Sequence, residues 1–153
     1  MQQIDCFSVD VGYGQVHEKI RGDPRVVVME RTNLRTLTDL PERVDLVTLD
    51  LSFISVLKVM PAVAGLLKPD GQLIVLIKPQ FEAERHDVQR GGIIKDPAVH
   101  ERVVKNVVAG IQAHGFVCQK IIESPILGTM GNKEFLAYFT RQHAADGKIA
   151  VPA

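Results

Sequence analysis

A chain of 153 residues with 46% hydrophobic residues is sized for one domain with its own core, and is too apolar to stay disordered. Lys and Arg number 18 against 18 Asp and Glu, so no global field draws the chain to nucleic acid or anionic lipid, and any polyanion site has to be local. Two cysteines and no apolar run near ~18 residues exclude a disulfide scaffold and a helical membrane span.

Met1 to Asp5 lacks the basic and apolar regions of a signal peptide, so a cytoplasmic location is expected. Apolar, β-branched runs then alternate with helical patterns, the order of a parallel sheet with helices on its faces. Ile4 to Val11, Arg25 to Met29 and Val44 to Leu51 read as three strands. Cys6 and Cys118 fall in such runs and are expected to be buried thiols. Val56 to Leu67 reads as a helix that Pro61 kinks or delays, leading to a turn at Lys68 to Gly71 where glycine permits positive φ.

Gln72 to Ile77 is a nearly all-apolar strand suited to a sheet covered on both faces. Pro79 to Lys95 has no clear periodicity and is expected to be a long functional loop. Asp96 as N-cap and Pro97 at N1 open a helix that places Val99, Val103, Val104, Val107, Val108 and Ile111 on one face, stopped by Gly115. Phe116 to Glu123 and Glu134 to Thr140 complete the pattern as two strands that pair antiparallel. The domain is expected to span 1–142, with a flexible tail over 143–153.

Ligands of open α/β sheets bind at the carboxyl ends of the strands, which singles out Asp10, Asn33, Asp50 and Lys78. Asp10 suits the hydroxyls of a nucleoside ribose, or is a capping aspartate; Asn33 suits an adenine edge, or shapes a turn. Asp50 and Lys78 each end an apolar strand, where a charge needs a partner, so they suggest an ion pair across adjacent strands. Glu134 brings a third ionisable group towards the same rim, unless it is an exposed edge residue. Arg85, His86, Arg90 and Lys95 suit phosphate contacts or a solvated loop. His86, His100 and His114 show no metal-like spacing; surface roles and no metal site are expected.

Six segments taken together carry more information than any one of them: VDVGYGQ (9–15), DPRVVVMERTN (23–33), VDLVTLDLSFIS (44–55), LIKPQFE (76–82), GGIIKDPAVHE (91–101) and GNKEFL (131–136). In this order they resemble the TlyA family of hemolysin-A-like ribosomal RNA methyltransferases, whose catalytic domain is FtsJ-like. The resemblance covers about residues 4 to 141. It implies a Rossmann-like, S-adenosylmethionine-dependent methyltransferase fold, a mostly parallel sheet with an antiparallel last strand. It also implies 2′-O-methylation of cytidine ribose, with S-adenosylmethionine as cofactor and ribosomal RNA or ribosomal subunits as partner.

By the same resemblance Asp10, Val11, Asn33 and Asp50 bind the cofactor. Asp50, Lys78 and Glu134 match the last three members of the family's Lys-Asp-Lys-Glu tetrad, whose first lysine has no counterpart here. The family's RNA-binding S4 domain, first strand and glycine-rich loop precede the position matching Ile4, so the chain is expected to be an N-terminally truncated, impaired member with weak cofactor affinity. The strand so lost is central, which leaves sheet edges open to a homodimer contact. Two other classes of function compete: a catalytically inert α/β interaction module, and a hemolysin-like membrane-active protein.

Overall fold

A computed structural model describes residues 5–142. Ile4 and the tail expected at 143–153 lie outside the described residues. The six expected strands are present as β1 (Cys6–Val9), β2 (Val26–Met29), β3 (Val44–Leu49), β4 (Leu67–Ile77), β5 (Phe116–Glu123) and β6 (Phe135–Arg141). The helices are α1 (Glu18–Arg21), α2 (Met60–Leu66), α3 (Pro79–Glu82) and α4 (Pro97–Gln112).

The strands form two ladders. β1 pairs β2 in parallel, and a four-stranded sheet runs β3-β4-β6-β5, parallel between β3 and β4 and antiparallel on both sides of β6. β1 and β3 do not pair with each other, so each presents an unpaired edge among the described residues. The hydrophobic core belongs to the larger sheet: Leu73, Val75 and Ile77 of β4 and Phe139 of β6 meet Met60 and Val63 of α2 and Val103, Val107 and Ile111 of α4. At ~1.5–3 kcal/mol per fully buried large apolar side chain, this layer carries most of the hydrophobic stabilisation.

α4 forms as its sequence dictates. The Asp96 carboxylate accepts from the Ala98 amide at 2.9 Å, Pro97 occupies the first turn where no amide is needed, and Gly115 follows the helix at φ +86°. α2 likewise carries its proline, Pro61, in the first turn, after a 3-10 turn at Val56–Lys58 capped by Ser55.

Four expectations are corrected. The Lys68 to Gly71 turn is an excursion inside β4, and Gly71 is required for space rather than for positive φ: a Cβ there would lie 2.7 Å from Leu67 Cδ2 and 2.9 Å from the Lys68 carbonyl. Pro79 to Lys95 is not wholly irregular, since α3, a 3-10 turn at Arg85–Asp87 and a Gln89–Ile93 bridge order it. Cys6 is exposed and Cys118 half-buried, because β1 lies outside the main core and β5 is an edge strand. His100 is buried on the inner face of α4, bonded through Nε2 to the Ile94 carbonyl at 3.0 Å.

Candidate active site

The ladder registers bring three charged residues to one rim. Leu49 of β3 aligns with Val75 of β4, and Ile77 of β4 aligns with Phe135 of β6. Asp50 and Lys78 therefore leave the carboxyl ends of β3 and β4 beside the start of β6, where Glu134 precedes Phe135. Lys78 Nζ lies 2.7 Å from Asp50 Oδ1 and 3.1 Å from Ser52 Oγ. The Lys78 side chain is 13% exposed and that of Asp50 is 73% exposed, so a shielded ammonium is held by a wet carboxylate.

Glu134 is only 7% exposed, so it is a buried carboxylate and not an edge residue. It accepts from Gln80 Nε2 at 3.1 Å, and it makes no ion pair with Lys78 among the described residues. Pro79 ends β4 and starts α3, which turns the Gln80 amide towards β6. Gly128 packs flush on the same carboxylate: a Cβ there would collide with Glu134 Cδ at 2.5 Å.

Buried and half-buried hydrogen bonds tie the surrounding segments together. Glu82 accepts from Ser55 Oγ at 2.6 Å and from the Val56 amide at 2.7 Å, joining the segment after Asp50 to the segment after Lys78. Asn132 accepts from the Ile94 amide at 3.0 Å and donates to the Gly92 and Thr129 carbonyls at 2.8 and 3.0 Å. Asn132 thereby fixes the GGIIK loop against the turn that leads to Glu134.

Burial raises the Glu82 carboxyl above its ordinary pKa, against the two hydrogen bonds that favour its ionised form. The folded state thus binds this proton more tightly than the unfolded chain does. Its contribution to stability is full below the unfolded value near ~4.3 and is lost as pH rises through the folded value. Glu82→Gln removes the titration, so its melting temperature relative to wild type is expected to rise between pH 4 and pH 7. Parallel melts that keep a constant offset over that range would contradict this.

The expected cofactor residues lie on the smaller ladder, apart from Asp50. Asp10 follows β1 and accepts from the Gly12 amide at 2.6 Å. Asn33 is exposed and its Oδ1 caps the 3-10 turn at Leu34–Thr36, accepting from the Arg35 amide at 3.0 Å. Val11 is exposed in the intervening turn. That turn is braced from β2: the Gly14 amide donates to Glu30 Oε1 at 2.8 Å, and Arg21 binds both Glu30 oxygens at 2.5 and 3.1 Å. The Arg21 guanidinium holds the Glu30 carboxyl below the usual carboxylate range.

Phe53, three residues after Asp50, was not singled out by sequence. It is 90% exposed, sits at φ +64° and packs its ring 5.0 Å from that of Phe81. A bulky residue in the left-handed region stores strain that the surrounding structure has to hold, and such strain gathers at functional sites. Of the basic loop residues, His86 lies 3.2 Å from Glu84 and 3.6 Å from Asp87, whereas Arg85, Arg90 and Lys95 make no ion pair among the described residues.

The chain as a whole is similar to known proteins. Residues 1–141 match the FtsJ-like methyltransferase family. The chain is 44% identical over 139 residues to the 16S/23S rRNA (cytidine-2′-O)-methyltransferase TlyA of Mycobacterium tuberculosis, covering 88% of this chain and 51% of that one. It is 39% identical over 139 residues to hemolysin A of Brachyspira hyodysenteriae, covering 87% and 57%. A solved structure described as a hemolysin from Streptococcus thermophilus superposes with a TM-score of 0.85 at 38% identity, over 89% of this chain and 50% of that one.

The match over nearly all of the described residues shows that the chain belongs to the FtsJ-like methyltransferase family and has its mixed α/β methyltransferase fold. The chain spans about half the length of the curated relatives it matches. No described helix is long and apolar enough to cross a membrane.

Proposed function

We propose that the protein carrying this sequence transfers the methyl group of S-adenosylmethionine to the ribose 2′-hydroxyl of cytidines in ribosomal RNA, acting on RNA or ribosomal subunits in the cytoplasm. The observation that carries the reading is the shielded Lys78 ammonium at the rim of β3 and β4, held by Asp50 at 2.7 Å beside the buried Glu134. The printed activity of the M. tuberculosis relative supports the same choice of substrate.

When bound, S-adenosylmethionine supplies an electrophilic methyl on a sulfonium. Asp10, Val11, Asn33 and Asp50 would hold it. Asp10 fits a ribose: one carboxylate oxygen is engaged by the Gly12 amide, and the other has no donor among the described residues. Gly12 also fits, since a Cβ there would lie 3.1 Å from Asp10 Oδ1 and 3.2 Å from Gln15 Cγ.

Lys78 does not act as the base. An ammonium donates through all its hydrogens and has no lone pair for the hydroxyl proton. It orients the 2′-oxygen and stabilises the negative charge that gathers there, while Asp50 fixes its direction and the hydroxyl proton leaves to the solvent that wets the Asp50 carboxylate. Phe53 supplies an exposed ring beside this centre, suited to stack an unstacked base.

The protein carrying this sequence, incubated with S-adenosylmethionine and ribosomal RNA, is expected to yield 2′-O-methylcytidine on nucleoside mass spectrometry; unmodified RNA or base methylation alone would overturn the reading. Phe53→Gly separates substrate contact from folding. Glycine adopts the φ of +64° without strain, so the melting temperature holds or rises. The KM for RNA rises about 10-fold or more, as expected for loss of one stacked base. An unchanged KM would remove the stacking role.

A further inference from the structure

Leu51 to Ile54 make no backbone–backbone hydrogen bond among the described residues, so side chains have to hold this segment, and they come from α3 and its cap. Lys78, Phe81 and Glu82 are spaced three and four residues apart, which puts them on one face of that single turn, while Gln80 turns to Glu134. Lys78 grips the near end of the segment, through Asp50 at 2.7 Å and Ser52 at 3.1 Å. Glu82 grips the far end, accepting from Ser55 Oγ at 2.6 Å and from the Val56 amide at 2.7 Å. Between the two grips Phe53 rests its ring 5.0 Å from that of Phe81, at φ +64°, a conformation that a phenylalanine keeps only while its surroundings impose it.

We infer that Glu82 is a positioning residue for RNA: by pinning Ser55 and the Val56 amide it keeps Phe53 left-handed, and so keeps the exposed ring presented to a base. Without that anchor the segment is held at the Lys78 end alone, Phe53 relaxes to negative φ, and its ring leaves Phe81. Glu82 touches no substrate and acts through Phe53. The kinetic consequence rests on the stacking role proposed for Phe53; the anchoring itself does not.

NMR spectra of phenylalanine-labelled protein test the anchor, with the Phe53 resonances identified by their loss in Phe53→Gly. Glu82→Ala is expected to shift the Phe53 Cα and Cβ resonances from left-handed towards extended values. Glu82→Gln is expected to leave them in place, because its Oε1 still accepts from Val56 and its Nε2 donates to Ser55 Oγ. Ser55→Ala removes one of the two bonds and is expected to shift them less, in the same direction, which keeps the test available if Glu82→Ala does not fold. Left-handed Phe53 values in these alanine variants would overturn the inference.

In methyl transfer, Glu82→Ala is expected to raise KM for RNA about 5-fold or more with kcat within about 3-fold, and to add less than about 2-fold in the Phe53→Gly background. Equal factors in the two backgrounds would mean that Glu82 does not act through Phe53, and would also overturn it. Absence of transfer by the wild-type protein would instead refute the proposed function, and the spectra would still decide the anchor.

Discussion

Lys78→Ala is expected to lower the kcat of methyl transfer by about 10³-fold or more while leaving cofactor affinity and folding in place. Loss of one preorganised donor aimed at developing charge costs about 10²- to 10³-fold. Here the same group also orients the oxygen, and a misplacement of ~1 Å adds up to ~10²-fold. No second cation stands in, since among the described residues the rim holds no other ammonium or guanidinium paired with Asp50.

The fold tolerates the change because the abandoned carboxylate of Asp50 is 73% exposed and stays hydrated. With its carboxylate partner wet, the pair is screened and contributes little, near the ~0–1 kcal/mol of surface pairs. Melting, calorimetric titration with S-adenosylmethionine and single-turnover kinetics separate the effects. Retention of even a tenth of wild-type turnover would remove Lys78 from the reaction.

Asn132→Ala has the largest expected effect on stability. It removes the acceptor of the buried Ile94 amide and the donors of the Gly92 and Thr129 carbonyls. At ~0.5–1.5 kcal/mol for each net hydrogen bond, with ~1–3 kcal/mol for a buried amide left unpaired, the loss is about 3 kcal/mol. Denaturant unfolding is expected to show this as a lower midpoint with an unchanged slope. Turnover falls as well, because the turn held by Asn132 leads directly to Glu134. A loss under about 1 kcal/mol would mean that water replaces all three bonds.

Much of the rim was legible because charge is conspicuous where it interrupts an apolar run. Asp50 and Lys78 each follow strand residues destined for the core, and the 2.7 Å pair between them is the partner that such positions require. α4 was legible from its cap, its proline and its valine spacing. What escaped are contacts made by short elements. Gln80 and Glu82 lie on the four-residue α3, too short for any periodic signal, so neither the Glu134 anchor nor the Ser55 and Val56 bonds could be foreseen.

Phe53 escaped because the left-handed conformation of a phenylalanine is imposed by its surroundings and not by its own preference. Glu134 was legible as a rim residue, but its burial was not, since Gly128, six residues upstream, packs against its carboxylate. Gly71 was read for φ, as glycines in turns usually are, but the demand there is steric and comes from Leu67 within the same strand. His100 shares a helix face with Val99 and Val103, and its ring is kept inside by the carbonyl of Ile94, a contact between loop and helix that spacing alone does not reveal.

The most direct test of the account is a structure of the protein with a non-transferable S-adenosylmethionine analogue and a cytidine-containing RNA fragment. The account predicts the target 2′-oxygen within ~3.2 Å of Lys78 Nζ, with the analogue's ribose on Asp10. A target hydroxyl bound away from the rim formed by Asp50, Lys78 and Glu134, or a base edge presented to Lys78 in its place, would contradict it.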